Sequence, residues 1–113
     1  MCNQMVTLNP AKHDTVFRAI ADPTRRRILA LLRESDLTVG ELAENFSTSR
    51  PAISKHVRIL RSAGLIAIHH EGAARVCELN AKPLRAISDW VGDYAHFWKQ
   101  SLRGLKRYVE EGP

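Results

Sequence analysis

Within one short stretch the chain carries Ser49, Arg50, Ser54, Lys55 and Arg58, a set of hydroxyl and cationic side chains suited to holding anions. Guanidinium and ammonium groups match phosphate oxygens and the edge of guanine, and short hydroxyls reach either backbone or bases. Ile53, Val57 and Leu60 recur at helical intervals and claim one face of the segment. Ser54, Lys55, Arg58 and Ser62 then project from the other face, with Arg50 near its start. A second polar set follows at His69, His70 and Arg75, placed to touch a minor groove or flanking phosphates. The plain alternatives are a solvated basic helix face and ordinary exposed hairpin side chains.

The surrounding residues say what must position these groups. Thr38 with Glu41 three residues later fits a capping box, and Val39, Leu42, Ala43 and Phe46 continue at helical spacing. The run Ser47, Thr48, Ser49 breaks that helix, Ser49 caps a second one, and Pro51 is tolerated in its first turn, where a backbone donor lacks a partner anyway. Gly64 stops it. Residues 38–64 therefore read as a helix-turn-helix and residues 65–80 as a β-hairpin wing: two aliphatic runs, Leu65 to Ile68 and Val76 to Leu79, flank Glu71, Gly72, Ala73 and Ala74.

Upstream, residues 1–8 look loose. Asn9-Pro10 and Asp22-Pro23 each read as a cap followed by a first-turn proline, the first opening a helix with Val16, Phe17 and Ile20 and the second a helix to about Glu34. Arg25, Arg26 and Arg27 in that second helix's first turn oppose its dipole, an arrangement that pairing with a carboxylate or a DNA phosphate would relieve, although for each one taken singly a solvated basic turn is the plainer reading. Downstream, residues 83–110 predict one long helix. Leu84, Ile87, Val91, Tyr94, Trp98, Ser101, Leu105 and Tyr108 follow an alternating three-and-four spacing, widened by Trp90, Phe97, Leu102 and Val109. From Pro83 to Tyr108 it would extend on the order of 39 Å. Aromatic residues anchor interfaces well because they bury much area with few rotatable bonds. A symmetric dimer is expected, built by Leu84, Ile87, Val91, Tyr94, Trp98, Leu102 and Leu105 with Val16, Phe17 and Ile20 of the first helix. A helix that merely covers its own core would show the same periodicity.

Several separated segments resemble one family in the right order. The run AIADPTRRRILALL from Ala19 to Leu32, then ELAENF, SRPAISKHVRILRSAGLI, the Gly72 to Leu79 wing and the aromatic tail are similar to an ArsR-type winged-helix repressor, and the tail to the SdpR-like branch. The resemblance covers nearly the whole chain. It implies a mainly α fold with a small β-hairpin, a winged helix-turn-helix dimerised through a long terminal helix, and a homodimeric regulator that binds double-stranded DNA, usually a repressor; the two-fold symmetry of such a dimer predicts an inverted-repeat operator with half-sites about one helical turn apart. Metal-sensing relatives carry a cysteine pair where this chain has Glu41-Leu42-Ala43-Glu44-Asn45, so the common thiolate site is absent. Asp89, Asp93 and His96 share a helical face without the customary spacing of a second family site, and His69, His70 and Cys77 form another conceivable cluster. Neither is assigned a metal, and no cofactor is expected. An effector or protein partner is left open, as are a metal-responsive repressor using an atypical site and a winged-helix protein-interaction module.

Composition agrees. A chain of 113 residues, 44% hydrophobic, fits one domain spanning residues 1–113, and a second subunit would improve its surface-to-volume ratio. The formal charge of +5 and pI near 9.7 favour an acidic partner. No apolar run is long enough to span a bilayer and the N-terminus lacks a secretion signal's apolar core, so no membrane insertion and a cytoplasmic location are expected. Cys2 and Cys77 are too few for a disulfide framework. No phosphate-cradling glycine loop, metalloprotease helix or nucleophile elbow occurs, which argues against an enzyme and leaves no catalytic residue to nominate.

Overall fold

The computed structural model describes the backbone of residues 10–111, and the side chains of these except residues 10–12, 101–103, 105–108 and 111. The expected Asn9 cap, the loose residues 1–8 and the contributions of Leu102 and Leu105 lie outside what is described.

Two helices come first, α1 (Pro10–Ile20) and α2 (Pro23–Glu34). Asp22 caps α2 by accepting the Arg25 backbone N–H at 3.1 Å, which satisfies one of the orphan donors of its first turn. The same turn closes α1. Arg25 donates from Nε to the Ala19 carbonyl at 2.7 Å and from a terminal nitrogen to that of Arg18 at 3.0 Å, while Arg26 reaches the Ile20 carbonyl at 2.8 Å. Arg27 instead lies over the Phe46 ring, 4.6 Å from its centroid. Cations that oppose one helix dipole thus serve the negative end of the preceding helix. Their partners among the described residues are backbone carbonyls, an imidazole and a ring, and none of the three pairs with a carboxylate side chain.

The strand β1 (Leu37–Thr38) leads into α3 (Val39–Ala43), and Thr38 belongs to both elements. Its Oγ1 accepts from the Glu41 backbone at 3.1 Å and its own N–H donates to the Glu41 carboxylate at 2.8 Å, completing the capping box. Ser49 Oγ accepts the Ala52 N–H at 3.3 Å to start α4 (Arg50–Ser62). Gly64, at φ +81°, ends it: its N–H bonds to the Arg61 carbonyl at 2.9 Å and that of Leu65 to the Leu60 carbonyl at 3.0 Å. These two bonds make a Schellman motif, and its apolar partners Leu60 and Leu65 are both fully buried.

The strands β2 (Ile66–Glu71) and β3 (Ala74–Leu79) form the wing, joined by Gly72-Ala73. Gly72 has φ +62° and Ala73 does not have a positive φ, the signature of a type II′ hairpin turn, whose twist matches that of the strands. The sheet is antiparallel with order β1-β3-β2. Asn80 closes its base, donating from the backbone to Leu65 and from the side chain to the Gly64 carbonyl, both at 2.8 Å. The core gathers Ala19 of α1, Ile28, Leu29 and Leu32 of α2, Leu42 of α3, Ile53, Val57 and Leu60 of α4, and Leu65, Ile66 and Cys77 of the hairpin.

The terminal segment departs from expectation. The single helix expected over residues 83–110 is two, α5 (Leu84–Gly92) and α6 (Ala95–Glu111). At the junction the ladder tightens: Asp93 N–H bonds to Trp90 at 3.2 Å and Tyr94 N–H to Val91 at 2.9 Å. Gly92 is exposed, has no packing neighbour where a Cβ would stand, and is a poor helix former, so nothing holds the longer ladder in register there. The residues nominated for a dimer also divide. Val16 is only 1% exposed and belongs to the chain's own core, so it is withdrawn from that surface. Ile20, Leu84 and Ile87 are half-buried against the same core.

Candidate nucleic-acid interface

The recognition helix α4 turns Ile53, Val57 and Leu60 into the core and leaves Arg50, Lys55 and Arg58 exposed and Ser54 half-buried. Between α4 and the wing runs a cleft of about 530 Å³ lined by Thr38, Arg50, Ser54, Arg58, Arg61 and Arg75, with Val57 and Ile68 among its apolar neighbours. Among the described residues four guanidinium groups border it and no carboxylate lines it. Such a concentration of positive charge beside an exposed helix attracts a polyanion and draws in its counterion-rich backbone. Arg50 folds back over the start of α3: a Cβ at Gly40 would stand 3.4 Å from its Cζ, so the glycine leaves room for the guanidinium.

The sequence set is brought together in part. Arg50, Ser54 and Arg58 share the cleft with Arg75, which arrives from β3. Ser49 is spent on the α4 cap. Lys55 lies outside the cleft lining, on the outer part of the helix surface. His70 pairs across the strands with Arg75 and is exposed on the same side of the sheet. His69 does not accompany them. Successive strand residues face opposite ways, so His69 sits on the other face, where its Nε2 lies 3.1 Å from Glu71 Oε2. Adjacent histidines in sequence are therefore not one polar tip, and with Cys77 they do not converge. Arg61 was missed, although its position seven residues after Ser54 already puts it on the same helical face.

Arg25 also reaches α4, where its third donor meets His56 Nδ1 at 3.3 Å. One side chain thus ties together the end of α1, the start of α2 and α4. Asp22, next to it, has its carboxyl held below the usual range, chiefly by the backbone N–H of Arg25 that it accepts. Burial pushes the Cys77 thiol up, with Arg75 and Arg61 only partly opposing this, so it stays protonated and packs as a small apolar group. In the terminal segment Asp89 is engaged by Arg85 at 3.4 Å, and the His96 ring stacks on Phe97 with centroids 4.0 Å apart.

The surface of α5 and α6 is the other unusual feature. Trp90, Tyr94, Phe97 and Trp98 are between 44% and 59% exposed. Phe17 of α1 meets Trp90 edge-on at 5.7 Å, Trp90 meets Tyr94 at 5.2 Å, and Tyr94 meets Phe97 at 6.4 Å, so the rings form a connected file across three helices. A monomer seldom leaves so much aromatic surface open.

A helix-turn-helix whose second helix shares a cationic cleft with a β-hairpin defines a winged-helix DNA-binding protein. The comparisons narrow the class. The chain belongs to the ArsR family of bacterial regulatory proteins, whose profile matches residues 22–67. It is 44% identical over 78 residues to the transcriptional repressor SdpR of Bacillus subtilis, covering 69% of this chain and 87% of that protein. It is 36% identical over 97 residues to the HTH-type transcriptional regulator Rv2034 of Mycobacterium tuberculosis, covering 86% and 88% of the two chains. A solved ArsR family transcriptional regulator superposes with a TM-score of 0.72 at 34% identity, over 81% of this chain and 95% of the other. These relatives are regulators of transcription.

Proposed function

We propose that this chain is a homodimeric, sequence-specific repressor that binds an inverted-repeat operator in its own or a neighbouring promoter and works in the cytoplasm. The observation that carries the reading is the cleft between α4 and the wing, bordered by Arg50, Arg58, Arg61 and Arg75 and, among the described residues, free of carboxylates. In this reading Arg58 and Lys55 address base edges, Ser54 reaches a base or phosphate, and Arg50, Arg61 and Arg75 hold the backbone. His70 supports the wing's contact, and Ser49 acts through the helix start. Repression is favoured over activation because SdpR, at 44% identity, is named a repressor, whereas the 31% identical HlyU of Vibrio cholerae is named an activator.

The dimer surface consists of Val91, Tyr94 and Trp98 with Trp90 and Phe97, bordered by Phe17, Ile20, Leu84 and Ile87. Pairing of this surface across a two-fold axis would set two recognition helices about 34 Å apart, one turn of duplex. Selection of bound duplexes from a random pool by the purified protein tests both parts together. The expected winner is an inverted repeat whose affinity falls steeply with salt. Failure to enrich any sequence, with capture of a protein partner instead, would favour the interaction-module reading.

A further inference from the structure

The face of the sheet turned away from the recognition helix carries a group that neither the cleft nor the aromatic surface uses. Asp36 immediately precedes β1, Glu78 stands on β3 and His69 on β2, so two strands and the residue leading into the third contribute one side chain each. By strand alternation all three belong to the outer face: Leu37, next to Asp36, pairs with Cys77, next to Glu78, and both of these turn inward. One ligand atom from each of Asp36, His69 and Glu78 lies within 4.8 Å of the others, and among the described residues no other group of this kind converges. We propose that these three side chains bind a divalent transition-metal ion of the zinc type.

Chemistry and geometry both point that way. An imidazole with two carboxylates matches a borderline cation such as Zn²⁺ better than Mg²⁺, which prefers oxygen alone. Ligands about 2.1 Å from a tetrahedral ion stand roughly 3.4 Å apart, so the three atoms, now within 4.8 Å of one another, have to draw closer, and two of them belong to exposed carboxylates. The imidazole is already oriented. It is half-buried, its cross-strand neighbour Val76 is 7% exposed, and Glu71 holds its Nε2 at 3.1 Å. Nδ1 is therefore the nitrogen assigned to the ion, and a carboxylate on the far nitrogen of a ligating histidine would fix its ring and raise its basicity. Neither Asp36 nor Glu78 has a hydrogen bond or ion pair among the described residues, which leaves both carboxylates available. Bound there, the ion would clip the segment that opens the helix-turn-helix to both wing strands.

The test is calorimetric titration of the full, chelator-stripped chain with Zn²⁺, alongside the visible absorption of bound Co²⁺ and the imidazole NMR signal of His69. One ion per chain is expected, accompanied by a shifted His69 resonance and a raised unfolding temperature. His69→Ala, Asp36→Asn and Glu78→Gln should each weaken binding a hundredfold or more, and Glu71→Gln about tenfold. The Asp89→Asn/His96→Ala variant should bind like wild type. Circular dichroism checks that each surface variant remains folded. Absence of binding up to millimolar Zn²⁺, undiminished binding by His69→Ala, or loss of binding in the Asp89/His96 variant would overturn the assignment. The proposal stands apart from the DNA-binding reading, because its readouts need no DNA.

Discussion

Arg25 is the side chain whose removal should disturb this molecule most for its size. It donates to the Ala19 carbonyl at 2.7 Å, the Arg18 carbonyl at 3.0 Å and His56 Nδ1 at 3.3 Å. A hydrogen bond from a charged donor contributes about 1.5–3 kcal/mol when shielded from water, and much less at the surface. The Arg18 bond is exposed and water replaces it readily, whereas the other two are half-buried. Arg25→Ala should therefore cost about 2 kcal/mol, which lowers the midpoint of a domain this size by roughly 10 °C. Arg25→Lys keeps the charge but not the planar fork and should recover less than half of the loss. Urea unfolding followed by tryptophan fluorescence reads the stability. Operator binding at a temperature where both variants are folded reads the tilt of α4, and a fall of several-fold is expected because His56 loses its tether. Arg26→Ala, which removes one exposed bond, should cost about 0.5 kcal/mol. An Arg25→Ala variant within 0.5 kcal/mol of wild type and with unchanged affinity would refute the proposed knot.

Arg50→Ala and Lys55→Ala should weaken operator binding without unfolding the domain. A lost base contact costs about 1–3 kcal/mol and relaxes specificity, while a lost phosphate contact weakens all sequences and reduces the salt slope by about one; unchanged affinity in both variants would rule out this placement. Trp98→Ala combined with Tyr94→Ala should raise the monomer fraction in light scattering and weaken operator occupancy, although neither residue touches the cleft. Chelation should leave operator affinity unchanged, and zinc near stoichiometric ratio should not release DNA in a gel-shift titration, because the sheet face bearing His69 lies opposite the cleft. Asp22 makes stability pH-dependent in one direction. Its folded pKa is lowered from 3.8, so its contribution is complete above that value and is lost as pH falls through the folded pKa; Asp22→Asn should flatten the acid limb of the unfolding curve in that window, and an identical acid limb would contradict the capping role.

Where the residues alone spoke, they spoke through local rules. A capping box, first-turn prolines, a glycine stop and period-matched apolar positions act within a few residues, which is why the helix-turn-helix, its end at Gly64 and the hairpin were legible before any tertiary contact was known. The stripe of Ile53, Val57 and Leu60 also marked the inward face of α4, because burial of those three is a helical-period requirement. The cationic character of the opposite face followed directly.

The rest depended on which elements meet in space. Two residues at Leu37-Thr38 carry too little pattern to announce a strand, and only β3 makes them one. Strand alternation parted His69 from His70, sending one toward Asp36 and Glu78 and the other toward Arg75. Val16 has the same periodicity whether it faces a partner or its own core, and packing assigned it to the core. The arginines of α2 looked locally unfavourable until the carbonyl end of α1 was placed beside them. Sequence determined the elements because caps and periods are short-range; tertiary structure decided the neighbours because charge, hydrogen bonding and burial are settled by whatever the fold brings within a few ångströms.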